Sequence, residues 1–231
     1  MIFAQSRHAA MGEMISMIAH QWRQPLSVIS MNTNNILLDV ALDTVDTTQL
    51  EKHSNDILLQ TEHLSQTIDD FRNFFKIDKE LVEVKLDNII NETYSIVKDS
   101  LTNHNICINI DNKSKSFVSI YPRELMQVFV NIITNSKDIL LTNKITNPSI
   151  DITIFDNKDY IITQICDNGP GVKKENLTKI FDPYFTTKEE KNGTGLGLYM
   201  SRMIVEDHLN GKIEVSNNNG ACFSIKLLKS K

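Results

Sequence analysis

Glycine and proline are nearly missing from the front of the chain. Of eight glycines in 231 residues, Gly12 stands alone before Gly169, and Pro25 is the one proline before Pro122. With so few breakers, residues 1–78 have little to interrupt a helix. The other seven glycines fall at 169, 171, 193, 195, 197, 211 and 220, where frequent turns between strands and helices are expected. Cysteine is scarce: Cys107, Cys166 and Cys222 are odd in number and widely spaced. That excludes a disulfide framework and a CxxC metal site, and reads as buried, reduced thiols in cytosol. No run approaches the ~18–20 apolar residues of a membrane span. The opening MIFAQSRHAAMGEM lacks a charged leader before an apolar stretch, so neither a membrane segment nor a signal peptide is expected. Net positive charge is missing as well: 24 Lys+Arg against 29 Asp+Glu leave −5, which argues against nucleic acid as a partner. With 41% hydrophobic and 23% charged residues, the composition is that of a globular protein.

In residues 11–41, Met11, Ile15, Ile18, Trp22, Leu26, Ile29, Thr33, Ile36 and Val40 recur at spacings of three and four. That is one helical seam near heptad period. DTVDTTQ then supplies turn and N-cap residues. A second seam follows at Ile57, Thr61, Leu64, Ile68, Phe71 and Phe75. Each helix, at roughly 30 residues, is about 45 Å long. A lone helical hairpin buries a single seam, so it is expected either to pack on the rest of the chain or to close into a four-helix bundle by dimerising.

Beyond residue 80 the period changes. LVEVKL reads as a strand, and DNIINETYSIVKDSL as a helix with Asp87 a candidate N-cap. ICINID reads as a strand, and PRELMQVFVNIITNSKDILL as a helix with Pro122 at its first position. SIDITIF and DYIITQICD form a predicted hairpin. Residues 170–193 have no clear period and read as a loop with a short helical piece. GLGLYMSRMIVEDHLN is a helix expected to end at Gly211, and KIEVSN and ACFSIKLL are closing strands. The expected fold is α+β: an N-terminal antiparallel helical hairpin over 1–78, then an α/β sandwich over 79–231 with helices on one face of a mixed sheet.

Several groups of residues carry chemistry. In DNGPGV, Asp167 ends a strand while Gly169 and Gly171 let the backbone turn close to a ligand. A carboxylate there can accept a hydrogen bond from an exocyclic amine such as that of adenine; an ordinary Asx turn reads the same way. GTGLGL opens a helix with free N–H groups suited to phosphate. It is neither a P-loop nor a dinucleotide-binding fingerprint. Asn131 and Asn135 share one helix face. An amide oxygen suits Mg²⁺, though a solvent-facing pair has the same spacing. His20 points away from the seam that Ile18 and Trp22 define. Its neutral imidazole is a competent nucleophile toward phosphorus, and an isolated surface histidine would be a bystander. The other five histidines have no motif around them.

Taken together, these segments resemble the sensor histidine kinases of two-component systems. MIAHQWRQPLSVI is similar to the H box, LMQVFVNIITNSKD to the N box, DNGPGV to the adenine-binding box, IFDPYFTTK to the F box and GTGLGL to the second glycine box. The Gln-Pro-Leu after His20 resembles the subgroup whose H box reads His-x-x-x-Gln-Pro-Leu. The resemblance implies a dimerisation and phosphotransfer hairpin over 1–78 and a gyrase-type ATP-binding domain over 79–231. It implies autophosphorylation of His20 by ATP, then transfer to an aspartate of a separate response regulator, in the cytoplasm or in the cytoplasmic part of a membrane-bound sensor. Asn135 falls at the Mg²⁺-ligand position. Asn131, Asp167, Gly169, Gly171 and Phe181 fall in the nucleotide site. So do Thr186, Thr187 and Lys188 of the lid, and Gly193, Thr194, Gly195, Leu196, Gly197 and Leu198 of the glycine box.

Two features set the chain apart. Related gyrase-type ATPases carry a general-base Glu where Asn131 stands, so ATP is expected to be held for transfer rather than hydrolysed. Most relatives carry an acidic residue after the histidine, where this chain has Gln21, which is no base; slow autophosphorylation is expected. Gln24, one turn after His20, is a candidate for orienting water in a reverse phosphatase reaction. Competing readings are a nucleotide-binding dimeric pseudokinase or scaffold, a plain gyrase-type ATPase, and a Ser/Thr kinase of the anti-sigma type, which would lack the hairpin.

Overall fold

The computed structural model describes residues 2–74, 81–187 and 195–230; side chains are described from Trp22 onward, except at 63, 66, 67 and 69–74. The chain divides into two compact units. The first contains helices α1 (Ile2–Ala41) and α2 (Thr47–Phe74). Asp43 takes a left-handed conformation after α1. The Asp46 carboxylate accepts a bond from the Thr48 N–H at 3.1 Å, capping α2 as turn chemistry prescribes.

The expected single seam on α1 is corrected. Pro25 and Asn32 are buried and Trp22, Ile29 and Ile36 half-buried, whereas Leu26, Thr33 and Val40 are exposed. The apolar residues therefore form two stripes. One meets α2, where the buried Asn32 Oδ1 lies 2.6 Å from His53 Nδ1. Asn32 Nδ2 already donates to the Val28 carbonyl, so its oxygen accepts from His53 Nδ1–H. The other stripe, with Leu26, Leu37 and Val40, stays open in a single chain. A 3.5–3.6 period cannot separate adjacent stripes when both are apolar.

The second unit is a five-stranded mixed sheet in the order β2–β4–β5–β7–β6. Its strands are β2 (Cys107–Asn112), β4 (Ser149–Asn157), β5 (Tyr160–Asp167), β6 (Lys212–Asn217) and β7 (Ala221–Leu228). β2 and β4 are parallel and the other pairs antiparallel. Strands β1 (Val82–Val84) and β3 (Val118–Ile120) make a small antiparallel pair beside it. β3 was not foreseen, being only three residues long.

Helices α3 (Leu86–Thr102), α4 (Pro122–Thr142) and α5 (Gly197–Met203) complete the unit. Burial alternates along the sheet. Ile161, Thr163 and Ile165 of β5 and Phe223, Ile225 and Leu227 of β7 are buried on one face with Leu125, Phe129, Ile132 and Ile133 of α4. Gln164, Ser224 and Lys226 take the opposite, more polar face. That period-2 pattern is what one covered face requires.

Three local readings are corrected. Lys85, not Asp87, occupies the N-cap of α3, and Asp87 lies in its first turn. After α5 the backbone widens to π spacing over Ile204–His208, and Asn210, not Gly211, takes the left-handed turn that ends it. Cys166 and Cys222 are cross-strand partners on β5 and β7 and are joined as a disulfide, while Cys107 is exposed. The reading of three buried, reduced thiols therefore fails for all three.

Candidate nucleotide site and phospho-acceptor helix

A buried polar cluster of the second unit lies where the end of β5 meets α4 and the turn before β7. Asp167 is 6% exposed. Its Oδ2 accepts the Ser136 hydroxyl at 3.1 Å. Its Oδ1 accepts the N–H of Gly169 at 2.9 Å and of Ala221 at 3.1 Å. Three donors thus fix this carboxylate in place.

Glycines give this carboxylate its surroundings. A side chain at Gly220, whose φ is +153°, would run into the Asp167 carbonyl, and one at Gly169 would press on Ile139 and the Asp167 carboxylate. Gly171 has φ +74°. Beside it the Asn217 amide brackets Val172, with Oδ1 accepting its N–H at 2.8 Å and Nδ2 donating to its carbonyl at 2.7 Å.

On α4, Asn131 and Asn135 are half-buried one turn apart. Asn135 Nδ2 lies 3.4 Å from Asn131 Oδ1, and Asn131 Nδ2 donates to Ser201 Oγ on α5 at 2.8 Å. Ser136 follows Asn135 and binds Asp167. One turn of α4 thus serves both the buried carboxylate and the glycine-rich segment. Gly197 packs so tightly on the Asn131 amide that a β-carbon would overlap it. Gly195, at φ +65°, sits against the backbone of Tyr184, whose N–H donates to the Gly195 carbonyl at 2.9 Å. Burial, with Tyr199 adding to it, pushes the Tyr184 phenol up to about 12. Leu196 is buried and Leu198 half-buried.

Phe181 is committed to packing. It meets Phe223 edge-on at 6.4 Å between centroids, and the Arg202 guanidinium lies 5.9 Å from its ring. Arg202 also donates Nε to Glu206 at 2.8 Å; this bond is the main reason its pKa is raised. Thr186 and Thr187 are exposed and outside regular structure. Lys188, Gly193 and Thr194 lie outside the described residues.

The first unit carries the histidine motif. His20 and Gln21 are on the backbone of α1, and their side chains lie outside the described residues. Gln24 is exposed and Pro25 lies inside the helix. Proline has no N–H, so the Gln21 carbonyl lacks its usual helical donor one turn after the histidine motif begins.

Sequence reasoning missed Ser136, Ser201, Asn217 and Gly220. Ser136 had a signal, standing next to Asn135 on a helix otherwise apolar on that side. The other three depend on which loop reaches which helix. The donor set fits magnesium in kind. Asn135 offers a hard amide oxygen, and no group of three or more His, Cys, Asp or Glu capable of holding a metal occurs among the described residues. An ion sharing its shell with waters and phosphates needs few protein ligands.

Residues 10–80 match the family described as "His Kinase A (phospho-acceptor) domain". Residues 120–231 match "Histidine kinase-, DNA gyrase B-, and HSP90-like ATPase". The chain is 26% identical to the sensor protein KdpD of Clostridium acetobutylicum, over 96% of this chain and 25% of that protein. It is 26% identical to sporulation kinase A of Bacillus subtilis, over 94% and 34% respectively. The chain thus spans between 25% and 34% of the length of these curated relatives. Among solved structures, the nucleotide-free catalytic domain of histidine kinase ThkA is 31% identical with a TM-score of 0.58, covering 65% of this chain and 96% of that one. Histidine kinase ThkA in complex with the response regulator protein TrrA is 26% identical with a TM-score of 0.68, covering 98% and 64%.

Proposed function

This chain belongs to the sensor histidine kinases of two-component systems, and we propose on that premise that it autophosphorylates on His20 with ATP and passes the phosphoryl group to a response regulator. The observation that carries the reading is the Asp167 carboxylate, 6% exposed and fixed by Ser136, Gly169 and Ala221. Such an acceptor, built between glycines, suits the exocyclic amine of adenine. The amides around Gly195 and Gly197 suit the phosphates, and Phe181 packs on Phe223 and on Arg202 of α5.

Asn135 would hold Mg²⁺ through its amide oxygen; that ion, when bound, neutralises phosphate charge. The lone pair of a His20 ring nitrogen attacks the γ-phosphorus. The bond from phosphorus to the leaving oxygen of ADP breaks, and the ring nitrogen becomes phosphorylated. The proton from the other ring nitrogen goes to solvent or a weak acceptor, since Gln21 is no base. The phosphohistidine then donates to an aspartate carboxylate of a response regulator. Gln24, exposed after His20, would orient water for the reverse reaction.

Asn131 speaks against a plain ATPase: it stands where the water-activating base would be, and its amide donates to Ser201. The open apolar stripe of Leu26, Leu37 and Val40 on α1 supports dimerisation through the hairpin. Among the described residues no helix is long and apolar enough to cross a membrane. ATP and a response regulator as proposed reactants support work in the cytoplasm, or in the cytoplasmic part of a membrane-bound sensor. The test is transfer of label from γ-labelled ATP. Acid-labile, alkali-stable phosphate that later appears on a response regulator supports the proposal; acid-stable label, or none, overturns it.

A further inference from the structure

We infer that Ser201, which no motif singles out, is a positioning residue that sets the orientation of the Asn135 amide through Asn131. The inference rests on the reading of Asn135 as the magnesium ligand. Ser201 is 2% exposed and lies on α5, one turn after Gly197. Its hydroxyl sits 3.0 Å from the Gly197 carbonyl oxygen, four residues back. A hydroxyl has one proton to donate. With that proton on the carbonyl, Ser201 Oγ faces Asn131 only as an acceptor. The Asn131 atom at 2.8 Å is therefore its NH₂.

The consequence runs along α4. A planar amide that gives its nitrogen to Ser201 turns its oxygen the other way. Asn131 Oδ1 is then the acceptor for Asn135 Nδ2 at 3.4 Å, the longest link of the chain. With its nitrogen drawn toward Asn131, Asn135 turns its oxygen to the opposite side. A cation needs that oxygen, because an NH₂ group has no lone pair for it. A reversed Asn135 amide would present hydrogens to the ion.

Gly197 has two parts in this. It supplies the carbonyl that fixes the hydroxyl, and its bare α-carbon lets the Asn131 amide pack against α5. The segment thus aims the metal-ligating amide of the neighbouring helix. Groups that orient a metal ligand in this way typically carry a 10–100-fold share of metal affinity.

The experiment measures affinity of the full chain for a non-hydrolysable ATP analogue, with Mg²⁺ and in chelator, across five variants. Ser201→Ala is expected to cut the Mg²⁺-dependent gain in affinity by about tenfold and to leave the chelator value unchanged. Asn131→Ala is expected to cut the Mg²⁺-dependent gain to the same degree, and the double variant to lose no more of that gain than either, because both break one chain. Ser201→Thr keeps the hydroxyl and is expected to regain the gain; with Asn131→Ala it carries the test if Ser201→Ala fails to fold. A normal Mg²⁺ gain in Ser201→Ala, with the gain lost in Asn135→Ala, overturns the relay and leaves the magnesium reading standing. Equal losses with and without Mg²⁺ reduce Ser201 to a packing role and overturn the inference. A normal gain in Asn135→Ala removes the magnesium reading and the relay together.

Discussion

The Ser136 hydroxyl donates to Asp167 Oδ2 across 3.1 Å, joining the middle of α4 to the end of β5. Ser136 is 2% exposed and Asp167 6%, so the bond is dry. Ser136 is also the neighbour of Asn135. The adenine-reading carboxylate and the magnesium-holding amide of the proposed site are thereby set by one turn of one helix. An error in the placement of α4 would displace both.

Asp167→Asn tests the carboxylate. An amide offers a single oxygen; kept on the N–H groups of Gly169 and Ala221, it leaves an NH₂ in place of Oδ2, a group that donates and cannot accept. Losing a charged hydrogen bond costs roughly 1.5–3 kcal/mol. ATP affinity is expected to fall by about tenfold to a hundredfold, with the oligomeric state unchanged because α1 and α2 are untouched. Titration with labelled nucleotide and a light-scattering mass measure both; unaltered affinity would count against an adenine role.

His20→Gln is expected to bind ATP normally and form no phosphohistidine. Acid-labile label persisting in that variant would remove His20 from the reaction.

Gln21 is expected to limit the rate. A carboxylate in its place can orient the imidazole and take its proton, and general-base catalysis is worth ~10²–10⁴-fold. Gln21→Glu should raise the single-turnover rate of autophosphorylation at least about tenfold on that basis without changing ATP affinity. An unchanged rate would mean proton transfer is not limiting.

Thr163 is fully buried on the core face of β5, and its hydroxyl has no partner among the described residues. An unsatisfied buried polar group costs ~1–3 kcal/mol. Thr163→Val replaces it with a methyl of similar shape, and is expected to raise stability by about 1 kcal/mol. Thermal unfolding of the variant checks this, and a drop in midpoint would show that the hydroxyl has a partner after all.

Tyr184 gives an alkaline signature. Burial raises its phenol from 10.0 to about 12, so the folded chain holds this proton longer than the unfolded one. Its contribution is intact below pH 10 and is lost as pH climbs toward about 12. Tyr184→Phe cannot ionise, and should lose less stability across that window. Parallel curves for the two proteins would contradict the assignment.

Much of this protein was legible without coordinates, because its signals are local. The 3–4 spacing from Met11 to Val40, Pro122 opening α4, and glycines crowding after residue 168 each state a backbone preference. They were enough for a hairpin followed by an α/β sandwich. The motifs around His20, Asn135, Asp167 and Gly195 are likewise contiguous runs, so a candidate site could be proposed from their order. Tertiary structure decided whatever depends on two distant segments meeting. It split the α1 apolar residues into a stripe facing α2 and a stripe left open, since helical period fixes spacing but not the neighbour. Strand register set Cys166 opposite Cys222, a pairing no local pattern encodes. It also brought Ser201 to Asn131, 70 residues apart in sequence. A hydrogen bond is specific to about an ångström, and only the folded backbone sets distances that finely.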